Sequence, residues 1–302
     1  MLEPIGLHII KKGIDWALHK LKSKPAGQDG LPEPSILDQV HRFKRVIAAH
    51  GMRPEHWSRF FSACDAPFAI ARTDQINDDA LLAWMDDDKV DWLCEIFLIN
   101  RDWMDGEACT RPHNSIYFNK RPEYFFKTIE GELNKRTNKI REESAQVLFS
   151  LDSNDLNAEE DSGARLSVAI AIPLCRLSSE LIVYRYIKDG ASGGYPWHDE
   201  PYRSHVKIMA RLSHLHFQFW VYGLYFEKSN FIAVEDGRLL IPEALSKPGH
   251  HHCSWHPEDY ALADCESRVA KETESLPISL EWMQQLCLPT ATTTGRKRRG
   301  KT

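Results

Sequence analysis

The chain contains 302 residues, of which 42% are hydrophobic and 27% are charged, and its formal net charge is −5. This balance is ordinary for a soluble globular protein, and the length allows two domains with separate cores. The sequence contains no run of eighteen apolar residues, so no membrane span is predicted. It also lacks a signal-peptide pattern, so secretion is not predicted. Seven scattered cysteines without a C-x-x-C pair favour a reducing cytoplasm over a disulfide framework.

Residues 1–34 are predicted to form an amphipathic helix (1–22) followed by a linker. Apolar residues alternate at three- and four-residue steps, and basic residues occupy other positions. This spacing suits packing within the chain, a short coiled-coil seam in a homodimer, or contact with an anionic membrane surface. Three prolines and two glycines in residues 23–34 are typical of a linker.

Residues 35–112 are predicted to form an all-helical domain. Ser35 is a candidate N-cap for a first helix, and Gly51 ends that helix. A second helix is expected to begin at Arg53 or Pro54, since proline suits the first turn of a helix.

The most informative stretch is residues 89–106, KVDWLCEIFLINRDWMDG. Its apolar spacing predicts a helix, a break near Ile99-Asn100, and a short second helix that ends at Asp105-Gly106. This pattern resembles the last two helices of lambda-repressor-like (Cro/C1, or XRE) helix-turn-helix domains, where an "LAxxFGV" run leads into "SxDWLLG". The run RFKRVIAAHGMRPEHWSRFF resembles the opening helix pair of the same family.

The resemblance implies duplex DNA binding through a recognition helix within residues 66–77. That segment departs from the family because it lacks the usual "S-x-x-x-I-x-x-[WY]-E" pattern, and residues 78–85 add a turn or two. Two functions therefore stay open. One is a DNA-binding transcriptional regulator, and the other is a protein–protein adaptor on a helix-turn-helix scaffold without DNA readout.

Charge is divided sharply between two neighbouring segments. Residues 41–72 hold six arginines and lysines against two acids, net +4, whereas residues 73–107 hold eleven acids against two bases, net −9. Such blocks indicate one face for a polyanion and one that turns away from it, or two solvated helix surfaces. The residues predicted to contact DNA phosphates are Arg42, Lys44, Arg45, Arg53, Arg59 and Arg72.

Residues 113–270 are predicted to form a small α+β domain with an antiparallel sheet, of a size typical of ligand-sensing or dimerisation modules. β-Branched and aromatic runs predict strands, and a polar LSSE turn joins two of them into an antiparallel hairpin. The predicted elements are a helix at 122–139, strands at 146–151, 166–174 and 181–188, and a buried helix at 202–220 that Gly223 interrupts.

Two clusters carry metal-type or acid–base side chains. The weak metal candidates are His250, His252, Cys253 and His256. They lack a second paired motif, so a solvated histidine loop is the favoured interpretation and no metal or other cofactor is predicted. The second cluster is His198, Asp199, Glu200 and His205. Carboxylates before an apolar helix are more simply explained as helix-capping residues than as catalytic groups.

Residues 271–302 are predicted to be a C-terminal segment with a disordered basic tail. Residues 295–302, GRKRRGKT, match a phosphate-binding-loop pattern, but no buried strand precedes them and no helix is expected to follow. Their five cations suit non-specific phosphate contact. The sequence thus predicts a cytoplasmic, non-enzymatic DNA-binding regulator. Its C-terminal domain is expected to form a homodimer or to sense an unknown ligand or protein partner. The alternatives are an adaptor, or an enzyme or metal site in the C-terminal domain.

Overall fold

The computed structural model describes residues 36–71, 77–107, 111–113, 115–116, 122–134, 143–156, 163–190, 193–247 and 251–257. The predictions for the amphipathic helix, its linker, the Ser35 cap and the basic tail lie outside these residues. The whole predicted C-terminal segment, residues 271–302, also lies outside them, as do residues 258–270.

The helical part of the chain is built from apolar faces at helical spacing, as the sequence predicts. In the first helix, Val40, Phe43 and Ile47 are all buried, and they turn one face of the helix toward the core. Within residues 36–71 and 77–107 the helices are α1 (Ile36–Ala49), α2 (Pro54–Ala63), α3 (Asp78–Trp84), α4 (Asp87–Phe97) and α5 (Arg101–Asp105).

The predicted break inside residues 89–106 is confirmed, and its cause is local. Leu98 adopts a left-handed conformation (φ 56°) at the end of α4, and Gly106 does the same (φ 96°) at the end of α5. The side chain of Asn100 accepts a hydrogen bond from the backbone N–H of Asp102, which starts α5 immediately after the break. Burial of Ile99 holds the connection against the core.

The described part of the predicted recognition segment, residues 66–71, is not helical. The Phe68 ring makes edge contacts with the rings of Trp84 and Trp92, and the Trp84 indole N–H donates to the carbonyl of Ala69 at 2.9 Å. Ile70 is buried. Residues 66–71 therefore pack against the helices and do not form a projecting recognition helix. Residues 72–76 lie outside the described part.

A sheet with helices on its faces forms the rest of the described chain, so the α+β fold class is confirmed. The strand order is β1-β4-β3-β2-β6-β7, with β5 paired to β3. The strands are β1 (Ser115–Ile116), β2 (Gln146–Leu151), β3 (Arg165–Arg176), β4 (Ile182–Asp189), β5 (Tyr195–Pro196), β6 (Trp220–Tyr225) and β7 (His251–Trp255). The helices are α6 (Pro122–Asn134), α7 (Glu200–Phe217), α8 (Lys228–Glu235) and α9 (Ile241–Ser246).

The sheet is mixed rather than wholly antiparallel. The hairpin of β3 and β4 is antiparallel, as predicted, but β2 pairs with β6 in parallel and β1 pairs with β4 in parallel. The parallel pairing of β6 with β2 results from a crossover connection. After β4 the chain passes through α7 to the other side of β2, so β6 runs in the same direction as β2.

Two details of the predicted buried helix at 202–220 are wrong. The helix ends at Phe217, and Trp220 begins strand β6, where its side chain is 58% exposed. Gly223 does not break a helix but lies inside β6 beside Trp255 of β7. A Cβ atom at Gly223 would collide with the carbonyl oxygen and ring of Trp255, so this position accommodates only glycine.

Apolar contacts cross the predicted domain boundary at residue 112. One apolar cluster lies between the sheet, α6 and α7, and another lies under α8 and α9. The third is the core of α1–α5, and it continues into the ends of β3 and β4 and the start of α9 through Leu174, Cys175, Leu177, Val183 and Leu240. We call this third cluster the junction core.

Among the described helices, none combines the length and the apolar character needed to cross a lipid bilayer.

Replacing Gly223 with alanine is expected to lower the free energy of unfolding by about 3 kcal/mol, because a Cβ there forces β6 and β7 apart. Urea unfolding measures the change. The matched control is Gly131→Ala on α6, where nothing lies near the new methyl group and stability should rise by about 0.5–1 kcal/mol. Equal stability of Gly223→Ala and wild type would contradict the described β6–β7 contact.

Candidate functional site

Of the cations predicted to contact DNA phosphates, Arg42, Lys44 and Arg45 lie on α1 and Arg59 lies on α2, and all four are bound to groups of the protein. On α1, the Arg42 guanidinium donates to the carbonyl of Trp103 at 2.7 Å and lies over the indole ring of that residue. Lys44 forms an ion pair with Asp78 at the start of α3. On α2, Arg59 donates to the carbonyl of Leu177 beyond β3. These side chains join elements of the fold to one another.

Arg45 is the most firmly held of these cations. Its Nε and Nη2 atoms each lie 2.7 Å from one carboxylate oxygen of Glu243 on α9, and Nη2 also donates to the carbonyl of Arg238. Hydrogen bonding to Glu243 raises the pKa of Arg45. Burial raises the pKa of Glu243, but hydrogen bonds from Arg45 and from the Leu240 amide outweigh it and leave that pKa lowered. A two-point guanidinium–carboxylate pair of this kind fixes both side chains.

Arg53 is mostly exposed to solvent, and Arg59 is also exposed although it donates to Leu177. Arg53 is the N-cap residue of α2, its side chain is 74% exposed, and its Nε atom lies 3.0 Å from Glu55. Arg72 lies outside the described residues. The five predicted cations that the structure describes therefore do not form one exposed basic surface, since Arg42, Lys44 and Arg45 are bound to neighbouring groups.

Several acids on α4 are exposed to solvent. On the outer side of α4, Asp88, Asp91 and Glu95 are exposed, and Trp92 and Ile96 beside them are partly exposed. We call these five residues the α4 face. Helical spacing explains their grouping, because positions three and four residues apart lie on one side of a helix.

Arg101 holds α4 and α5 together behind this face. Its guanidinium pairs with Asp87 at 2.6 Å, with Asp91, and with Asp105 at 3.0 Å. Burial lowers the pKa of Arg101, but the hydrogen bonds that its guanidinium donates to the three carboxylates outweigh burial and raise that pKa. One cation thus neutralises part of the charge, while Asp88 and Glu95 have no ion pair with any described residue.

The weak metal candidates fall on or near β7, where the sequence favoured a loop. His252 and Cys253 belong to this strand, but their side chains lie outside the described part. His250 lies wholly outside it, and His256 is exposed. Among the side chains that the structure describes, no three His, Cys, Asp or Glu residues gather at a distance suited to a metal ion.

The cluster at residues 198–205 begins α7. Asp199 is the N-cap residue, and its carbonyl accepts hydrogen bonds from the amides of Tyr202 and Arg203, both at 3.0 Å. Its side chain makes no capping hydrogen bond. Asp199 therefore occupies the N-cap position, but the predicted capping by its carboxylate is wrong.

A buried polar network was missed by the sequence interpretation. Lys188 at the end of β4 lies 3.0 Å from the carboxylate of Glu235 on α8, which also accepts from the Gly193 amide at 3.1 Å. The Tyr195 hydroxyl donates to Asp189 at 2.9 Å. These contacts fasten the connection after β4 to α8. The sequence gives little indication of this network, because Lys188 and Glu235 each follow an apolar run and belong to no recognisable motif.

Two buried histidines, His50 and His113, were also missed, and their tautomers follow from their contacts. His50 Nδ1 lies 2.7 Å from the carbonyl of Val46, so Nδ1 carries the hydrogen. His113 Nε2 accepts from the amide of Ile241 at 3.2 Å, so its hydrogen is on Nδ1. Burial is the main cause that lowers the pKa of His50 to about 4 and the pKa of His113 to about 3.

Compared with family models, curated proteins and solved structures, the chain shows no significant match. The resemblance to helix-turn-helix domains therefore rests on the quoted residues alone.

The protein is expected to lose stability between pH 6.5 and about pH 3. Unfolded histidine binds its proton near pH 6.5, whereas folded His50 and His113 resist protonation until about pH 4 and 3. The unfolded state therefore binds more protons across this window, and the free energy of unfolding falls as the pH falls. Together the two imidazoles contribute a loss on the order of 2–4 kcal/mol from pH 7.5 to pH 5.

Urea unfolding of the double variant His50→Gln/His113→Asn at both pH values measures this contribution. The variant should show a smaller difference between pH 7.5 and pH 5 than wild type. His214→Gln, which removes an exposed histidine on α7, should leave the difference unchanged. An undiminished pH difference in the double variant would show that other groups cause the acid sensitivity.

Proposed function

We propose that this protein is a protein–protein adaptor that presents the α4 face to a basic partner. The observation that carries the proposal is the division of charge. Four of the six predicted phosphate-binding cations are bound to groups of the protein itself, while carboxylates of the α4 face are exposed to solvent.

Releasing the internal cations to bind phosphate would be costly. Arg45 would leave Glu243, whose side chain is only 21% exposed, without its main partner. Breaking a partly buried pair leaves a poorly solvated charge behind, which costs more than the loss of a surface ion pair. Arg42 and Arg59 would likewise release backbone carbonyls that they now satisfy.

The α4 face also repels a polyanion directly. Carboxylates at Asp88, Asp91 and Glu95 create a negative potential that disfavours a phosphate backbone and attracts a basic surface. Trp92 and Ile96 add partly exposed apolar area beside the charges. Aromatic and apolar anchors within a charged rim are typical of protein interfaces. The partner that fits is therefore a basic protein segment with apolar residues, such as an amphipathic helix.

A defined probe tests this proposal: a fluorescently labelled helical peptide of lysine and leucine, with binding followed by anisotropy. Neutralising the face with Asp88→Asn/Glu95→Gln is expected to weaken binding by roughly 3–10-fold, and added salt should reduce the difference between the variant and wild type. The matched control, Glu180→Gln/Glu227→Gln, removes two exposed carboxylates elsewhere. Equal weakening by both variants would assign the effect to net charge and overturn the proposed site.

The second candidate is the DNA-binding regulator that the family resemblance implies. The observation that favours it is the exposure of Arg53 at the start of α2, where a phosphate would meet both the guanidinium and the helix N-terminus. Five further cations are available in residues 295–302 of the sequence.

For this candidate, Arg53→Ala is expected to lower the affinity for duplex DNA. The slope of the logarithm of the binding constant against the logarithm of salt concentration should become shallower by about one unit. Arg45→Gln is the control, because its guanidinium is already bound to Glu243 and should not contribute to the slope. Circular dichroism checks that both variants fold. Absence of duplex binding by the wild type at low salt would remove this candidate.

A further inference from the structure

Three partly exposed aromatic rings lie together beside the start of α4. The centroid of the Phe68 ring lies 5.6 Å from that of Trp84 and 5.3 Å from that of Trp92, and the ring planes meet at 77° and 82°. Each of the three side chains is only partly buried. Because Trp92 belongs to the α4 face, this aromatic group adjoins the surface that we assign to a basic partner.

A cation of the protein itself lies on two of these rings. The ammonium nitrogen of Lys89, Nζ, lies 5.3 Å from the centroid of the Trp84 ring and 5.9 Å from that of Phe68. The same ammonium forms an ion pair with the carboxylate of Asp86. Aromatic faces attract ammonium groups at such distances, and a neighbouring carboxylate adds to the attraction. We call Phe68, Trp84 and Asp86 the Lys89 site.

The carboxylate of Asp86 is charged at neutral pH. Burial raises the pKa of Asp86, but hydrogen bonds from the side chain and the backbone amide of Lys89 outweigh burial and leave that pKa lowered. The site therefore combines two ring faces that meet nearly at a right angle with one negative charge. These are the features by which proteins recognise alkylammonium groups.

The start of α4 does not depend on the ammonium group of Lys89. Asp86 is the N-cap residue of this helix, and its side chain accepts a hydrogen bond from the backbone amide of Lys89 at 3.0 Å. This cap persists when the ammonium leaves. The side chain of Asp86 is 57% exposed, so its ion pair with the ammonium is weak. A competing cation thus has only this pair and the ring contacts to replace.

We propose that the Lys89 site binds a lysine ammonium of the partner, and that Lys89 fills the site in the free protein. This inference rests on the adaptor function proposed above and names the group that the basic partner supplies. When the partner binds, its ammonium takes the place of the Lys89 ammonium on the rings of Phe68 and Trp84, and the Lys89 side chain moves into solvent. No covalent bond is made or broken.

The internal cation makes the site selective. Lys89 is tethered beside the two rings, so its effective concentration there is high, on the order of millimolar or above. A free small cation competes poorly with a tethered one. A partner that also contacts the α4 face through apolar residues and charge holds its own lysine nearby and overcomes this competition. The site therefore favours a basic segment that carries an apolar anchor over an isolated cation.

Titration of the full-length protein with choline chloride, a soluble alkylammonium probe, tests the site itself. Nuclear magnetic resonance follows the indole N–H signal of Trp84, which a Trp84→Phe variant assigns. Lys89→Ala empties the site, whereas the matched control Lys89→Met removes the same charge and leaves a long side chain on the rings. Choline is expected to bind Lys89→Ala roughly 3–10-fold more tightly than Lys89→Met. The neutral isostere 3,3-dimethylbutan-1-ol should not show this preference.

The role of the carboxylate is tested in the Lys89→Ala background. Adding Asp86→Asn retains a residue that caps helices well but removes the negative charge, and it should weaken choline binding several-fold. Circular dichroism checks that each variant folds. Equal choline affinities of Lys89→Ala and Lys89→Met, or an equal preference shown by the neutral isostere, would overturn the site whether or not a peptide binds the α4 face.

The labelled peptide of lysine and leucine tests replacement by the partner. The peptide should shift the Trp84 indole signal of the wild type and should bind Lys89→Ala several-fold more tightly than Lys89→Met. Peptide binding without a shift of the Trp84 signal, or with equal affinities for the two variants, would overturn the replacement of Lys89. Choline selectivity of Lys89→Ala without peptide binding by the wild type would instead overturn the adaptor function and retain the ammonium site.

Discussion

The packing of α1–α5 on the ends of β3 and β4 is the interaction on which the other features depend. Apolar residues of β3, β4 and α9 complete the core of the helices, which therefore do not bury their apolar faces among themselves alone. Arg45 and Glu243 add a two-point charged contact at the rim of the same junction. Because burial of apolar area is the main favourable term in folding, this shared core binds the two halves into one cooperative structure.

The junction also explains why a helix-turn-helix-like sequence does not produce an exposed basic surface. The helices turn their cations toward carbonyls and carboxylates of neighbouring elements, where Arg42, Arg45 and Arg59 each satisfy a partner. Among the described residues, Arg101 is the ion-pair partner of Asp87 and Asp91 on α4, while Asp88 and Glu95 face water. The sign of the accessible charge thus follows from packing, and it favours a basic protein partner over a phosphate backbone.

Chemically distinctive groups gather near the junction rather than in the clusters that the sequence suggests. His50 and His113 are neutral there because burial disfavours their charged forms. Neither residue belongs to a recognisable motif in the sequence. Their burial results from long-range contacts, of His50 with Phe97 and Tyr186 and of His113 with the start of α9.

The sequence by itself determined the local structure. Apolar spacing located α1, α2 and α4, the left-handed turns at Leu98 and Gly106 ended the helices as expected, and β-branched runs located β2, β3 and β4. These features depend on neighbours within a few residues, so a sequence pattern carries them. The tertiary structure alone decided the parallel pairing of β6 with β2, the shared core and the partners of Arg45 and Lys188. Those contacts join residues far apart in the chain, and whether a charge faces water or a partner depends on which distant element packs beside it.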